Sequence, residues 1–147
     1  MSYTDGLVRE VVGRTLLDSA FMFASPMVGD DRGGLDLCVR IAFLGRENGS
    51  IFLATDDPFA RSLAANLLGL EPDDEELATA GPAALLELAN ILAGLLLEAA
   101  GGGRTSSVLG IPVITAAEPD DVVAKGLFVV DDMYRLWVSV ALHQGAS

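Results

Sequence analysis

The sequence predicts an α+β domain in which a mostly antiparallel sheet is covered by helices. Apolar residues recur at helical spacing in three segments and alternate or run continuously in five others, giving the order helix, hairpin, helix, helix, three strands. The chain has 147 residues, 51% of them apolar, which suits one core of ordinary size. Residues 1–147 therefore read as a single domain.

Across 7–24, Leu7, Val8, Val11, Val12, Leu16, Ala20 and Phe23 recur at helical spacing, and Ser25-Pro26 closes this first amphipathic helix. After the turn-rich stretch 29–34, Leu35, Leu37, Val39, Ile41 and Phe43 alternate with Asp36, Cys38, Arg40 and Ala42, as in a half-buried strand. Asn48-Gly49, in a short polar loop, marks a hairpin because both residues tolerate positive φ, and 50–55 is the returning strand. Asp56 or Asp57 caps the next helix, with Pro58 in its first turn and Gly69 at its end. The acidic stretch 71–76 precedes a long helix that begins near Pro82 and stops at Gly101-Gly102-Gly103. Segments 105–116, 122–130 and 134–143 read as strands, with Asp131-Asp132 turning between the last two.

Composition removes several classes of function. Nine basic residues against twenty-one acidic ones give a net charge of -12, which repels nucleic acid and anionic membranes. The apolar run 83–100 is the one candidate membrane span, but it contains Glu87, Asn90 and Glu98. A central carboxylate costs about 2.5–3.5 kcal/mol on insertion scales, so the run reads as a buried helix of a soluble protein. The start MSYTDGLVREVV lacks the features of a signal peptide, and Cys38 is the only cysteine, so a reducing cytoplasm is the expected location. His143 has no evident nucleophile partner, which argues against a Ser-His-Asp arrangement. Gly101 to Gly103 follow a helix and lack G-K-[ST], so they read as a helix stop rather than a phosphate cradle. Asp73-Asp74-Glu75-Glu76 lacks the spacing of a calcium loop and reads as a solvated helix entry. Cys38 is expected to pack on the sheet face opposite the core or under a helix. Trp137, with Arg135 and Ser139, faces away from Leu136, Val138, Val140 and Leu142, so a helix or a second subunit is expected over it.

The long helix carries the candidate chemistry. At about 100° per residue, Ala83, Glu87, Asn90, Gly94 and Glu98 share one stripe, while Leu85, Leu88, Leu92, Leu95 and Leu96 cluster around the other side. A carboxylate and a carboxamide thus stand one turn apart among very small side chains. A Glu and an Asn on a polar helix face are ordinarily just solvated. The longer string Glu87-Leu88-Ala89-Asn90-Ile91-Leu92-Ala93-Gly94 raises a more specific reading.

That string resembles the signature helix of the CheC/CheX/FliY phosphatases, in which an acidic or hydroxyl residue precedes E-x-x-N and a proline stands in the following strand. Pro112, in Leu109-Gly110-Ile111-Pro112, takes the proline position, and Ala83 departs from the acid or hydroxyl. A single E-x-x-N helix resembles CheX more than the two-site CheC arrangement. The resemblance covers most of the chain and implies a CheX-like α+β fold and a homodimer formed through the sheet. It implies hydrolysis of the aspartyl phosphate of a CheY-type response-regulator receiver domain, as in chemotaxis and two-component signalling. Asn90 would position the attacking water, and Glu87 would pair with the receiver's lysine. Docking would extend over Ala83 and Gly94, with Leu86, Ala93 or Leu97 packing beside the stripe. The resemblance implies no cofactor in this chain, and Mg²⁺ on the receiver. Ala83 keeps open an alternative, a non-catalytic CheC/FliM-like module that binds a receiver or flagellar-switch partner.

Overall fold

The computed structural model describes residues 3–101 and 108–143. The expected stop at Gly102 and Gly103 and the strand start at Thr105 lie outside the described residues. The first helix, α1 (Asp5–Ala20), is N-capped by Thr4, whose Oγ1 accepts from the Leu7 N–H at 3.1 Å. It ends four residues before the expected limit. Phe21 takes the left-handed conformation at φ 57°, and the Met22 N–H closes on the Leu16 carbonyl at 3.0 Å. The chain then enters an additional short strand, β1 (Ala24–Met27), paired antiparallel with residues 127–130. The helical spacing of Ala20 and Phe23 continues past the turn, but sheet pairing prevails over it. Pro26, which has no N–H to donate, fits this edge position.

Strands β2 (Leu37–Leu44) and β3 (Asn48–Thr55) form the hairpin. Its turn is Gly45-Arg46-Glu47, one step earlier than Asn48-Gly49, with the Asn48 carboxamide oxygen accepting from the Gly45 N–H at 3.3 Å. Gly49 lies inside the sheet because a side chain there would collide with the Ala141 carbonyl and the Phe43 ring. Helix α2 (Asp57–Leu68) has Asp56 as N-cap, Pro58 in the first turn and Gly69 in the left-handed C-cap.

Helix α3 (Leu77–Gly101) starts five residues before Pro82. Pro82 removes one N–H near the beginning of the helix, a loss confined to a single bond. Gly81 beside it allows close packing on α2, since a Cβ at that position would stand 3.2 Å from the Ala60 Cβ. The expected strand 105–116 is two short pieces within its described part, β4 (Val108–Leu109) and β5 (Val113–Thr115), both paired with β2. Gly110 donates to the Ala42 carbonyl at 2.8 Å between them, and Pro112 interrupts the ladder. Strands β6 (Val122–Val130) and β7 (Tyr134–His143) complete an antiparallel sheet of order β1-β6-β7-β3-β2-β4, with β5 also on β2.

The helices lie on one face of this sheet. Val8, Val12, Leu16, Phe59, Leu63, Leu85, Leu88, Leu92 and Leu96 pack there against Ile41, Ile51, Leu53, Phe128, Val138 and Val140. By length and composition α3 could cross a membrane. Ten of its residues, however, are buried against this core.

The other sheet face carries a smaller cluster of Leu35, Cys38, Phe52, Ala54, Leu127 and Trp137. It is covered by the chain's own connecting segments rather than by a helix. Glu118 Oε2 accepts from Trp137 Nε1 at 2.6 Å and from Ser139 Oγ at 2.5 Å. Its Oε1 pairs with Arg32 at 2.5 Å, and the Arg32 guanidinium lies 4.4 Å from the Trp137 ring centre. Cys38 belongs to this cluster as expected, and burial, with Asp36 next in effect, pushes its thiol up.

Candidate functional site

The fold packs one side of α3 against the core and leaves the other side bare. Ala83, Glu87, Asn90 and Glu98 are exposed and Gly94 is half-exposed, while the opposite side of the helix is packed in the core. Neither Glu87 nor Asn90 makes a hydrogen bond or ion pair with a described residue, so both polar ends are open to a partner. Side chains three apart on a helix stand about 5–6 Å apart at Cβ, close enough for both to engage one recess. A carboxylate accepts hydrogen bonds or pairs with a cation, whereas a carboxamide both donates and accepts. The described part of α3 contains no Lys or Arg, so Glu87 and Glu98 are its only charges.

The flanks of the stripe differ from expectation in two places. Ala93 is fully buried, because it lies about 120° around the helix from Glu87 and turns toward the sheet. It cannot contribute to docking and drops out of the docking set. Leu86 and Leu97 remain half-buried, packed against the core on the Asn90 side of the stripe. Leu95, grouped with the core leucines in the sequence, is 40% exposed. Ala84, close to the same angle but near the α2 contact, is 2% exposed, so cover on that flank is confined to the start of α3.

The remaining candidates fall elsewhere. Pro112 is half-exposed between β4 and β5. His143 Nδ1 lies 2.9 Å from Asp121 Oδ2, and this contact holds the Asp121 carboxyl below its usual range. Among the described residues no serine or cysteine joins that pair in a hydrogen bond. Asp74 Oδ1 accepts from the Glu76 N–H at 2.8 Å, so the acidic stretch organises the entry to α3. No group of three or more His, Cys, Asp or Glu side chains is placed to hold a metal among the described residues. An open cleft of about 690 Å³ near the other sheet face is lined by Arg32, Glu118, Lys125 and Trp137. Its cations are already paired, Arg32 with Glu118 and Lys125 with Asp30. Glu118 was not anticipated from the sequence, where a lone glutamate in a connection carries no distinguishing signal.

The family model described as chemotaxis phosphatase CheX matches residues 37–127, a span that contains Glu87 and Asn90. No curated protein sequence matches. The fold is similar to that of a chemotaxis protein CheX from Desulfovibrio desulfuricans, with TM-score 0.73 and 15% identity over 94% of this chain and 97% of that one. It is similar to a chain of the CheX–CheY–BeF3–Mg²⁺ complex from Borrelia burgdorferi, with TM-score 0.71 and 19% identity over 95% and 97%. A CheC-like superfamily protein from a Shewanella species matches with TM-score 0.68 and 16% identity over 95% and 96%. At these identities the likeness to the solved structures is one of fold.

Proposed function

The chain belongs to the CheX family, and from that premise we propose that it hydrolyses the aspartyl phosphate of a CheY-type receiver domain through Asn90 and Glu87. The observation that carries this reading is the pair of exposed, unpartnered polar groups one turn apart on a helix whose other side is locked in the core. The Borrelia burgdorferi complex, which contains CheX and CheY together with BeF3 and Mg²⁺, supports a receiver as the partner.

Hydrolysis of an acyl phosphate requires a water in line with the scissile P–O bond and stabilisation of the charge on the transferring group. The receiver brings its Mg²⁺ and lysine, so this chain has to supply position rather than a nucleophile. In this mechanism the Asn90 carboxamide oxygen accepts a hydrogen bond from the water and orients its lone pair toward phosphorus. The water oxygen joins the phosphoryl group, inorganic phosphate leaves, and the receiver's aspartate recovers its carboxylate. Glu87 pairs with the receiver's lysine and fixes the docking register.

The test is phosphate release from a phosphorylated CheY-type receiver by wild type, Asn90→Ala and Glu87→Ala. Asn90→Ala is expected to lower kcat on the order of 10²-fold with binding retained. Glu87→Ala is expected mainly to raise KM, by up to about fivefold. Equal rates for all three proteins would refute the reading. Exposed Ala83, where the family carries an acid or hydroxyl, favours one second reading, a module that binds the receiver without turnover. Saturable binding with no acceleration of phosphate loss would establish that reading instead.

A further inference from the structure

We infer that Gly94 is a positioning residue for Asn90: by lacking a side chain it lets the helix backbone come close enough for the short carboxamide to reach into the partner. This inference rests on the proposed entry of Asn90 into a receiver's phosphoaspartyl site.

Gly94 lies well inside α3, seven residues before its last residue, Gly101, so it is not an end cap. Its backbone is not in the left-handed region, so conformation does not demand glycine. Apart from proline, glycine is the residue a helix interior tolerates least. Packing does not demand it either, since a Cβ built at Gly94 meets no heavy atom within 4 Å. Gly81 in the same helix differs, because its missing side chain is used by Ala60 of α2. Within the molecule the weakening at Gly94 brings no gain, as at Gly13 of α1; what sets Gly94 apart is its place one turn after Asn90 on the exposed stripe.

Gly94 follows Asn90 by four residues, so the two are neighbours on the same side of the helix. Asparagine carries its polar atoms only one carbon beyond Cβ. A longer side chain at residue 94 would stand as far from the helix axis as the carboxamide and would meet the rim of any recess that Asn90 enters. Ala83 leaves the preceding part of the stripe equally low, so Glu87 and Asn90 are the tallest groups over this stretch of the face. The partner surface that fits is a recess whose rim contacts the helix at Gly94.

The experiment compares Gly94→Ala, Gly94→Leu and the double variant Asn90→Ala with Gly94→Leu in phosphate release from a phosphorylated CheY-type receiver. Thermal unfolding is measured alongside. Gly13→Ala is the control, because Gly13 also lies inside a helix with nothing within 4 Å of its missing Cβ, and it stands outside the α3 face. All three glycine substitutions are expected to keep or raise the unfolding temperature. Gly94→Ala should lower kcat by less than about threefold and Gly94→Leu by about tenfold or more, while Gly13→Ala leaves kcat unchanged. In the Asn90→Ala background, Gly94→Leu should lower kcat no further, because the carboxamide it obstructs is gone. Wild-type turnover by Gly94→Leu would overturn the inference while leaving the proposed function standing. An equal loss from Gly94→Leu with and without Asn90 would also overturn it. A wild type that releases no phosphate would remove both the proposed function and this inference.

Discussion

Replacing Glu118 with alanine tests how the outer face of the sheet is held. The carboxylate is 14% exposed and accepts from two donors that are almost fully buried, Trp137 at 3% and Ser139 at 1% exposure. Glu118→Ala leaves the indole N–H and the hydroxyl without their acceptor and releases Arg32. A hydrogen bond to an ionised acceptor contributes about 1.5–3 kcal/mol. Arg32 is 38% exposed and can turn to water, so its pair adds little. Contacts that share one carboxylate are not additive, and the two buried donors together set the loss at about 3 kcal/mol. Glu118→Gln keeps one acceptor oxygen for Trp137 and Ser139 but loses the charge and the acceptor that faces Arg32, so it should cost roughly half as much. Urea unfolding followed by circular dichroism reads the effect. With a slope of about 2 kcal/mol/M, the alanine variant should unfold near 1.5 M less urea than wild type. Fluorescence of Trp137, the chain's only tryptophan, should report the same order of variants. An alanine variant within about 1 kcal/mol of wild type would show that water replaces the carboxylate and would refute the reasoning.

Three further outcomes are expected. Gly49→Ala should destabilise by more than about 3 kcal/mol or prevent folding, because the new methyl would collide with backbone at Ala141; a soluble variant with wild-type unfolding would contradict the packing. Burial, with Glu47 adding to it, pushes the Tyr3 hydroxyl up to about 12. The folded value lies above the unfolded one near 10, so this contribution to stability is complete below pH 10 and is lost as pH rises toward 12. An ultraviolet phenolate titration should show a late step that Tyr3→Phe removes, and removal of a step near 10 by that substitution would count against it. Ala83→Asp restores the acid of the family pattern and should raise kcat/KM several-fold, at a cost of about 0.5 kcal/mol from repulsion with Glu87 one turn away; an unchanged or lower kcat/KM in phosphate release would show that this position adds nothing here.

Local chemistry explains which parts of the fold could be read in the sequence. The caps of α2 were readable because Asp56, Pro58 and Gly69 each act on their own backbone. The end of α1 was not, because Phe21 adopts a conformation that ordinarily calls for glycine, and β1 exists only through pairing with β6. Asn48-Gly49 signalled the hairpin correctly but not its turn. Gly49 is required by the approach of the Ala141 carbonyl from β7, a residue more than ninety positions away in the chain. The early start of α3 was hidden by Pro82, which reads as a helix beginning but is tolerated a turn later.

The candidate site was readable for a different reason. Exposure around an amphipathic helix follows its angular period, and Glu87 sits near the middle of the bare sector, with Asn90 toward the edge that Leu86 and Leu97 bound. At the edges the period alone fails. Ala93 falls on the core side, and Leu95 is bare because cover on its flank stops short of it. Gly94 shows the limit most clearly. In the sequence it is one more small residue in an apolar run; only the empty space around its missing Cβ, set against the filled space at Gly81, separates a glycine that packing within the chain needs from one that it does not.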